Sequence, residues 1–214
     1  MQYSTFAAID IGSYDVILEI FEISKKQGIR SVDKICHRME LGKDTYTLGK
    51  IRPEMEEELC RVLADFVRIM EGYRVDAYRA MASSAISEAA NSLYVLGKIR
   101  QLTGLSVTVL SNSEQRFLGY KALAAMEDNF NKVIEKGTAI LDLDGGSFQI
   151  SLFDKDALVT TQNIRMGSLR VRERLAGIQS ETEHYEEMVE ELIWNEVSSF
   201  KKMYLKDRKI EISC

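Results

Sequence analysis

Two segments of the chain repeat one pattern, in which a β-type run ends in an aspartate followed by glycine and serine. The first segment is Ala8–Ser13 and the second is Leu141–Ser147. Each segment is followed by a second β-type run, Val16–Phe21 after the first and Phe148–Phe153 after the second. The sequence therefore predicts the same strand–loop–strand hairpin at two places.

The residue types in these hairpins indicate phosphate binding. Glycine lets a backbone approach a phosphate closely and present N–H donors to it. An aspartate at the end of a strand can hold a hydrated Mg²⁺. Because tight hairpins also need glycine, one such turn is weak evidence, whereas two copies favour a pair of phosphate loops that face each other across a cleft.

The composition is that of a globular protein long enough for two small domains or one large one. The chain has 214 residues, of which 45% are hydrophobic and 29% are charged. No apolar stretch approaches the roughly 20 residues of a membrane span, and the residues after Met1 lack the basic and apolar pattern of a secretion signal. We therefore expect a cytoplasmic protein that has no membrane partner.

Charge, cysteine and histidine content exclude several other functions. A net charge of −5 argues against a nucleic-acid binder, because such proteins present a basic surface. Three widely spaced cysteines favour neither a disulfide framework nor a zinc site. With only two histidines, a serine–histidine triad or a histidine metal site is not indicated. The expected chemistry rests on carboxylates and Mg²⁺.

The remaining pattern places the hairpins in a predicted domain organisation. The first domain is assigned to residues 1–127, with a helix that begins at Pro53 and another over Ser84–Leu102. The second domain is assigned to residues 128–214, with a long helix after the capping box Ser180–Glu183 and a last strand over Lys209–Ser213. The capping box Ser111–Glu114 begins the helix that closes the first domain.

Five segments share their order and spacing with one protein family. They are Ala8–Ser13, Met81–Asn91, Val109–Gln115, Leu141–Ser147 and Arg165–Ser168. Over roughly residues 5–176 the chain resembles the exopolyphosphatase and guanosine pentaphosphate phosphohydrolase (Ppx/GppA) family. The resemblance implies an α/β fold of two ribonuclease H-like domains, as in the superfamily of actin, sugar kinases and heat-shock ATPases.

The resemblance also implies an incomplete second domain. Members of the family usually continue into another glycine-rich loop and further helices. Either the sequence is a piece of a longer protein, or the natural protein is short.

The resemblance assigns roles to particular residues. In the family, water attacks a terminal phosphate in line, Mg²⁺ neutralises charge, and backbone donors hold the phosphoryl group. By position, Asp10 and Asp142 are the expected metal ligands. The expected phosphate-binding residues are Gly12, Ser13, Ser84, Gly145, Gly146 and Ser147.

Several positions depart from the family pattern. Gln115 stands where the family has its general base, and a neutral amide cannot accept the proton; the adjacent Glu114 is the other candidate base, in competition with its capping role. Asp144 replaces a loop glycine, Gln149 replaces a glutamate, and Ser87 replaces an arginine. From the sequence alone, hydrolysis is expected to be slow, and Gln115→Glu is expected to raise it.

Four functions stay open at this point. The chain is a phosphoanhydride hydrolase that acts on inorganic polyphosphate or a guanosine polyphosphate, or it is a weakened relative that binds such a ligand as a sensor. A small-molecule kinase of the same superfamily would need an adenosine site from a later part of the second domain. The fourth is an α/β domain whose glycines only form turns. Self-association into a homodimer is a further expectation.

Overall fold

The computed structural model describes residues 3–126, 130–135, 137–176, 184–205 and 211–213. The chain divides into two compact units, Met1–Ser111 and Asn112–Cys214. Within the described part of the chain, every helix is too short or too polar to cross a lipid bilayer. Each unit is considered by itself below.

The first unit is built on a five-stranded sheet. Its strands are β1 (Ser4–Ile11), β2 (Asp15–Ser24), β3 (Gly28–Arg38), β4 (Ala77–Ala82) and β5 (Val107–Val109). They are ordered β3-β2-β1-β4-β5. Strand β2 is antiparallel to both β1 and β3, whereas β4 is parallel to β1 and to β5. The first predicted hairpin is therefore the connection between β1 and β2.

Four helices of the first unit complete its core. They are α1 (Leu41–Leu48), α2 (Pro53–Gly72), α3 (Ser84–Ser87) and α4 (Ser92–Thr103). Helix α2 begins at Pro53 as predicted, because proline has no N–H to leave unpaired in the first turn. Its buried side chains recur at helical spacing and join the apolar face of the sheet in one core.

The predicted helix over Ser84–Leu102 is wrong, since the structure has two helices, α3 and α4, separated by residues 88–91. The Asn91 side chain accepts from the backbone N–H of Ile51 at 3.0 Å and donates to the carbonyl of Ile51 at 2.8 Å. It also donates to Oε1 of Glu56 at 2.8 Å. These tertiary hydrogen bonds stabilise the non-helical segment between α3 and α4. The local sequence contains no glycine or proline that would predict it.

The second unit repeats the sheet order. It contains α5 (Asn112–Met126), α6 (Phe130–Glu135), β6 (Thr138–Leu143), β7 (Phe148–Asp154), β8 (Ala157–Ile164), α7 (Ser168–Leu175), α8 (Tyr185–Tyr204) and β9 (Glu211–Ser213). Its strands are ordered β8-β7-β6-β9, with β6 and β7 antiparallel and β9 parallel to β6. The order matches β3-β2-β1-β4 of the first sheet, so the predicted repeat of the hairpin is confirmed. The capping box at 180–183 and residues 209–210 of the predicted last strand lie outside the described residues.

Helix α5 packs on the second sheet. The ring of Tyr120 meets Phe153 edge to face at 5.2 Å, and its hydroxyl donates to Oγ of Ser151 at 2.5 Å. The compact units consequently divide before α5, whereas the sequence analysis ends the first domain after it, at residue 127. As a domain boundary, 127/128 stays a prediction.

Candidate phosphate-binding hairpins

The turn of the first hairpin is closed by one backbone hydrogen bond. The N–H of Gly12 donates to the carbonyl of Asp15 at 3.0 Å. A Cβ at residue 12 would lie 3.0 Å from that same oxygen, which is tighter than ordinary van der Waals contact. Glycine therefore suits this turn.

Asp10 lies at the carboxyl end of β1, where it is exposed. In the sheet it is opposite Ile17 of β2 and beside Met81 of the parallel strand β4. Ligands of open α/β sheets bind outside the carboxyl ends of the strands. Asp10 therefore lies at the edge of the sheet where such ligands bind, and its role as a metal ligand stays a prediction.

A chain of hydroxyl groups connects the first hairpin to the start of α3. Ser13 Oγ lies 2.7 Å from the Tyr46 hydroxyl, which lies 2.7 Å from Ser84 Oγ. The structure thus brings two predicted phosphate-binding residues, Ser13 and Ser84, onto one tyrosine. Sequence reasoning missed Tyr46, since a lone tyrosine between β3 and α2 gives no local signal.

The segment around α1 also fixes the backbone of the first hairpin. The N–H of Gly42 donates to the carbonyl of Ser13 at 2.9 Å, and the N–H groups of Met39 and Glu40 both donate to the carbonyl of Tyr14 at 2.9 Å. The carbonyl groups of Ser13 and Tyr14 are therefore both hydrogen-bonded to the segment around α1.

The second hairpin closes in the same way. The N–H of Asp144 donates to the carbonyl of Ser147 at 3.0 Å, as the N–H of Gly12 does to that of Asp15. Asp144 follows Asp142 by two positions, as Gly12 follows Asp10. Asp144 therefore takes the place of Gly12 and adds a carboxylate to the turn.

That carboxylate is bonded to the turn itself. Oδ1 of Asp144 accepts from the backbone N–H of Gly146 and, at 3.3 Å, from that of Ser147. Oδ2 accepts from Nε2 of Gln115 at 3.3 Å. The Asp144 carboxylate thus accepts hydrogen bonds from three residues that were singled out from the sequence, Gln115, Gly146 and Ser147.

Helix α7 supports the opposite side of this turn. A Cβ on Gly167 would come within 2.4 Å of the backbone of residues 144–146, so only glycine fits there. The N–H of Ser168 donates to the carbonyl of Asp144 at 3.0 Å, and those of Leu169 and Arg170 donate to the carbonyl of Gly145 at 3.1 Å. The segment Arg165–Ser168, one of the five that carry the family resemblance, therefore packs against the second hairpin and stabilises its turn.

Two further side chains hold the end of the second hairpin. Nε of Arg170 donates to the carbonyl of Gly146 at 3.0 Å. Nδ2 of Asn163 donates to Oγ of Ser147 at 3.3 Å. Neither of these two contacts was predicted from the sequence.

Asp142 lies at the end of β6, directly across the strand pair from Gln149 of β7. Partial burial raises the pKa of its carboxyl group above the usual range, and the charge of Asp144 raises it further. Asp142, Gln149, Arg116 and Tyr120 are among the residues that line a cavity of about 250 Å³ within the second unit. The hairpin therefore has a carboxylate and an amide at the wall of a small cavity whose lining is otherwise mainly apolar.

The two candidate bases differ in their surroundings. Gln115 is half-buried against Asp144, while Glu114 is exposed in the first turn of α5. Which of these groups acts on a water molecule stays a prediction.

The carboxylates fit Mg²⁺ in one particular way. Among the described residues, no three or more His, Cys, Asp and Glu side chains come together as a metal-binding group. Mg²⁺ is, however, commonly held by one or two carboxylates together with waters and substrate phosphates. Asp10 and Asp142 suit that mode of binding, in which the ligand brings its own oxygen atoms to the metal.

The repeated sheet with a glycine hairpin at its first connection defines an actin-like α/β fold of two ribonuclease H-like units. Residues 19–212 match the sequence profile of the Ppx/GppA phosphatase family. The chain belongs to this family.

Individual relatives agree with that assignment. The bifunctional 3-dehydroquinate synthase/phosphatase of Fusobacterium nucleatum is 21% identical over 174 residues, which cover 78% of this chain and 26% of that protein. Exopolyphosphatase 1 of Mycobacterium leprae is 25% identical over 144 residues, which cover 67% of this chain and 41% of the relative.

A solved structure shows the shared fold directly. The Ppx/GppA family member of Aquifex aeolicus matches with a TM-score of 0.69 and 23% identity, over 93% of this chain and 63% of that one. The chain thus spans about a quarter to two fifths of the two curated relatives, and less than two thirds of the solved structure.

Proposed function

We propose that this chain acts on phosphoanhydrides of the polyphosphate type, either inorganic polyphosphate or a guanosine polyphosphate. The observation that carries the proposal is the repeated hairpin of a Ppx/GppA family chain, with Asp10 beside Gly12 in one copy and Asp142 beside Gly145 and Gly146 in the other. In this function the hairpins contact phosphate oxygens. Water attacks the terminal phosphorus, the phosphoanhydride P–O bond breaks, and the terminal phosphate is released from the shortened ligand.

The residues take distinct roles in this reaction. Asp10 in the first unit and Asp142 in the second would each offer a carboxylate to a Mg²⁺-complexed ligand, in which Mg²⁺ would neutralise the charge of the phosphates. In the first unit, backbone N–H groups of the turn and the hydroxyls of Ser13 and Ser84 contact phosphate oxygens. In the second unit, the turn N–H groups and the hydroxyl of Ser147 do so. Tyr46 keeps Ser13 and Ser84 in place through its two hydrogen bonds.

A second candidate is a chain that binds the same ligands and hydrolyses them very slowly or not at all. The contact between Gln115 and Asp144 favours it, because Gln115 has no basic oxygen that can take a proton, and its amide is already bonded. In this case the chain is a sensor or a binding module for polyphosphate.

The proposal is tested by two measurements. Calorimetry measures the binding of polyphosphate with and without Mg²⁺, and a phosphate assay measures release from polyphosphate and guanosine pentaphosphate. The variants are Asp10→Asn and Asp142→Asn, and the matched control is Asp65→Asn. Asp65 pairs with Arg68 on an exposed face of α2, where a salt bridge contributes little.

The proposal predicts binding in Mg²⁺ that is lost in EDTA and in both hairpin variants but kept in Asp65→Asn. Equal affinity in EDTA and Mg²⁺, or hairpin variants that bind like the parent, would mean that the two aspartates have only a structural role at the ends of their strands. Phosphate release separates the candidates, since the binding module gives a binding signal without turnover.

A further inference from the structure

The second hairpin carries its own anion. Asp144 bonds through Oδ1 to the backbone N–H groups of Gly146 and Ser147, the donors that a glycine turn offers to a bound anion. A carboxylate and a phosphate both bind such donors through negatively charged oxygen atoms. Two anions cannot share them without strong repulsion.

We propose that Asp144 is a built-in competitor for the anion site of the second hairpin, so that a phosphate group binds there only after it displaces the Asp144 carboxylate. The inference rests on the proposed function for the identity of the displacing ligand. It makes Asp144 the residue that sets the affinity of this hairpin for phosphate.

The first hairpin shows what the turn is like without this carboxylate. Gly12 and Asp144 make the same closing bond and follow the strand aspartate at the same distance. Gly12 has no side chain, and a Cβ there would press against the carbonyl of Asp15. At the first position of the turn, therefore, the second hairpin has a carboxylate where the first hairpin has no side chain.

Two elements keep Asp144 in the competing position. Gln115 of α5 donates to Oδ2 from one side. Helix α7 bonds the carbonyl oxygens of Asp144 and Gly145. The carboxylate is thus bonded at both of its oxygen atoms and lies on a backbone that is itself fixed.

The neutral amide of Gln115 is required for this arrangement. It donates a hydrogen bond to a carboxylate, whereas a glutamate at the same place would bring a second negative charge near Asp144. Gln115 is therefore a positioning residue for Asp144, and the proposal explains why an amide occupies this position.

The decisive test uses sulfate as the anion, because it probes the turn without assuming polyphosphate. In ¹⁵N-labelled protein, the amide signals of Gly146 and Ser147 are followed as sulfate is added to the parent, Asp144→Ala and the control Glu191→Ala. Glu191 is an exposed residue of α8, so its replacement removes one negative charge from the same unit away from the turn.

The proposal predicts that Asp144→Ala responds to sulfate at about tenfold lower concentration than the parent and Glu191→Ala, because the competing charge-assisted bonds are gone. Equal responses in all three proteins would overturn it. If Asp144→Ala loses the dispersed spectrum of a folded protein, Asp144→Asn replaces it, since the neutral amide can keep the turn bond through Oδ1. A sulfate response in Asp144→Asn no stronger than in the parent would also overturn the proposal.

A second titration with tripolyphosphate and Mg²⁺ separates this inference from the proposed function. Tighter binding of tripolyphosphate than of sulfate, with a further gain in Asp144→Ala, supports both. A gain for sulfate in Asp144→Ala without tighter tripolyphosphate binding in any protein overturns the proposed function and leaves the competition by Asp144 supported.

Discussion

Gln115 donates a hydrogen bond from Nε2 to Oδ2 of Asp144 across 3.3 Å. Both residues depart from the pattern that the sequence resembles, and the structure shows that the two departures are in contact. Substitutions of contacting residues do not add independently. The effect of changing either residue therefore depends on the other.

The first prediction is that Gln115→Glu alone does not raise phosphate release, although the sequence suggested that it would. The new carboxylate would face Asp144, and the repulsion would move one of the two away from its position. The double variant Gln115→Glu with Asp144→Gly is expected to release phosphate faster than either single variant, by up to about 10²–10⁴-fold for a restored general base.

Steady-state phosphate release from polyphosphate by the parent, both single variants and the double variant measures this coupling. A Gln115→Glu variant that is as fast as the double variant would contradict it. The fraction of folded protein must be matched across the four samples, because repulsion in Gln115→Glu also affects stability.

The second prediction concerns the fit of α7 on the second hairpin. Gly167→Ala is expected to lower the free energy of unfolding by about 1–3 kcal/mol, since its Cβ would lie 2.4 Å from backbone atoms that cannot move aside easily. Urea unfolding of the chain measures the change.

The matched control for Gly167→Ala is Gly119→Ala in the middle of α5. A Cβ there meets nothing within 4 Å, so alanine is expected to stabilise the helix by roughly 0.5–1 kcal/mol. Equal effects at the two glycines would contradict the close packing of α7 against the turn.

The third prediction is that Tyr46→Phe weakens both the first hairpin and its ligand site. Loss of the hydroxyl leaves Ser13 and Ser84 without their common partner, which is expected to cost about 1 kcal/mol of unfolding free energy. Tyr94→Phe is the control, because Tyr94 is 64% exposed on α4.

The site-specific part of this prediction is binding. If Ser13 and Ser84 contact phosphate, Tyr46→Phe lowers polyphosphate affinity while Tyr94→Phe does not. A Tyr46→Phe variant with reduced stability and unchanged affinity would restrict Tyr46 to a structural role.

The parts of the fold that could be predicted are those with local patterns. Both hairpins and the start of α2 at Pro53 are determined by short stretches of sequence, in which strand periodicity, glycine and proline favour one local backbone conformation. The break between α3 and α4 was missed because Asn91 is held by Ile51 and Glu56, far away along the chain.

The same reason limits what the sequence could say about the candidate site. The aspartates, glycines and serines of the hairpins were found from their pattern. Tyr46 lies 33 positions from Ser13, and Gln115 lies 29 positions from Asp144, so neither contact has a local signature. The replacement of a loop glycine by Asp144 was found from the sequence, whereas its bonds to Gly146 and Ser147 required the three-dimensional structure.

The most direct measurement of the central claim is the turnover number for phosphate release from polyphosphate in Mg²⁺, made beside calorimetric binding of the same ligand to the same folded protein. The account predicts Mg²⁺-dependent binding with turnover well below the ordinary enzymatic range of about 1–10³ s⁻¹. Turnover within that range by the unmodified chain would contradict the slow rate expected from a neutral Gln115 and a hairpin occupied by Asp144, and it would favour the hydrolase over the binding module.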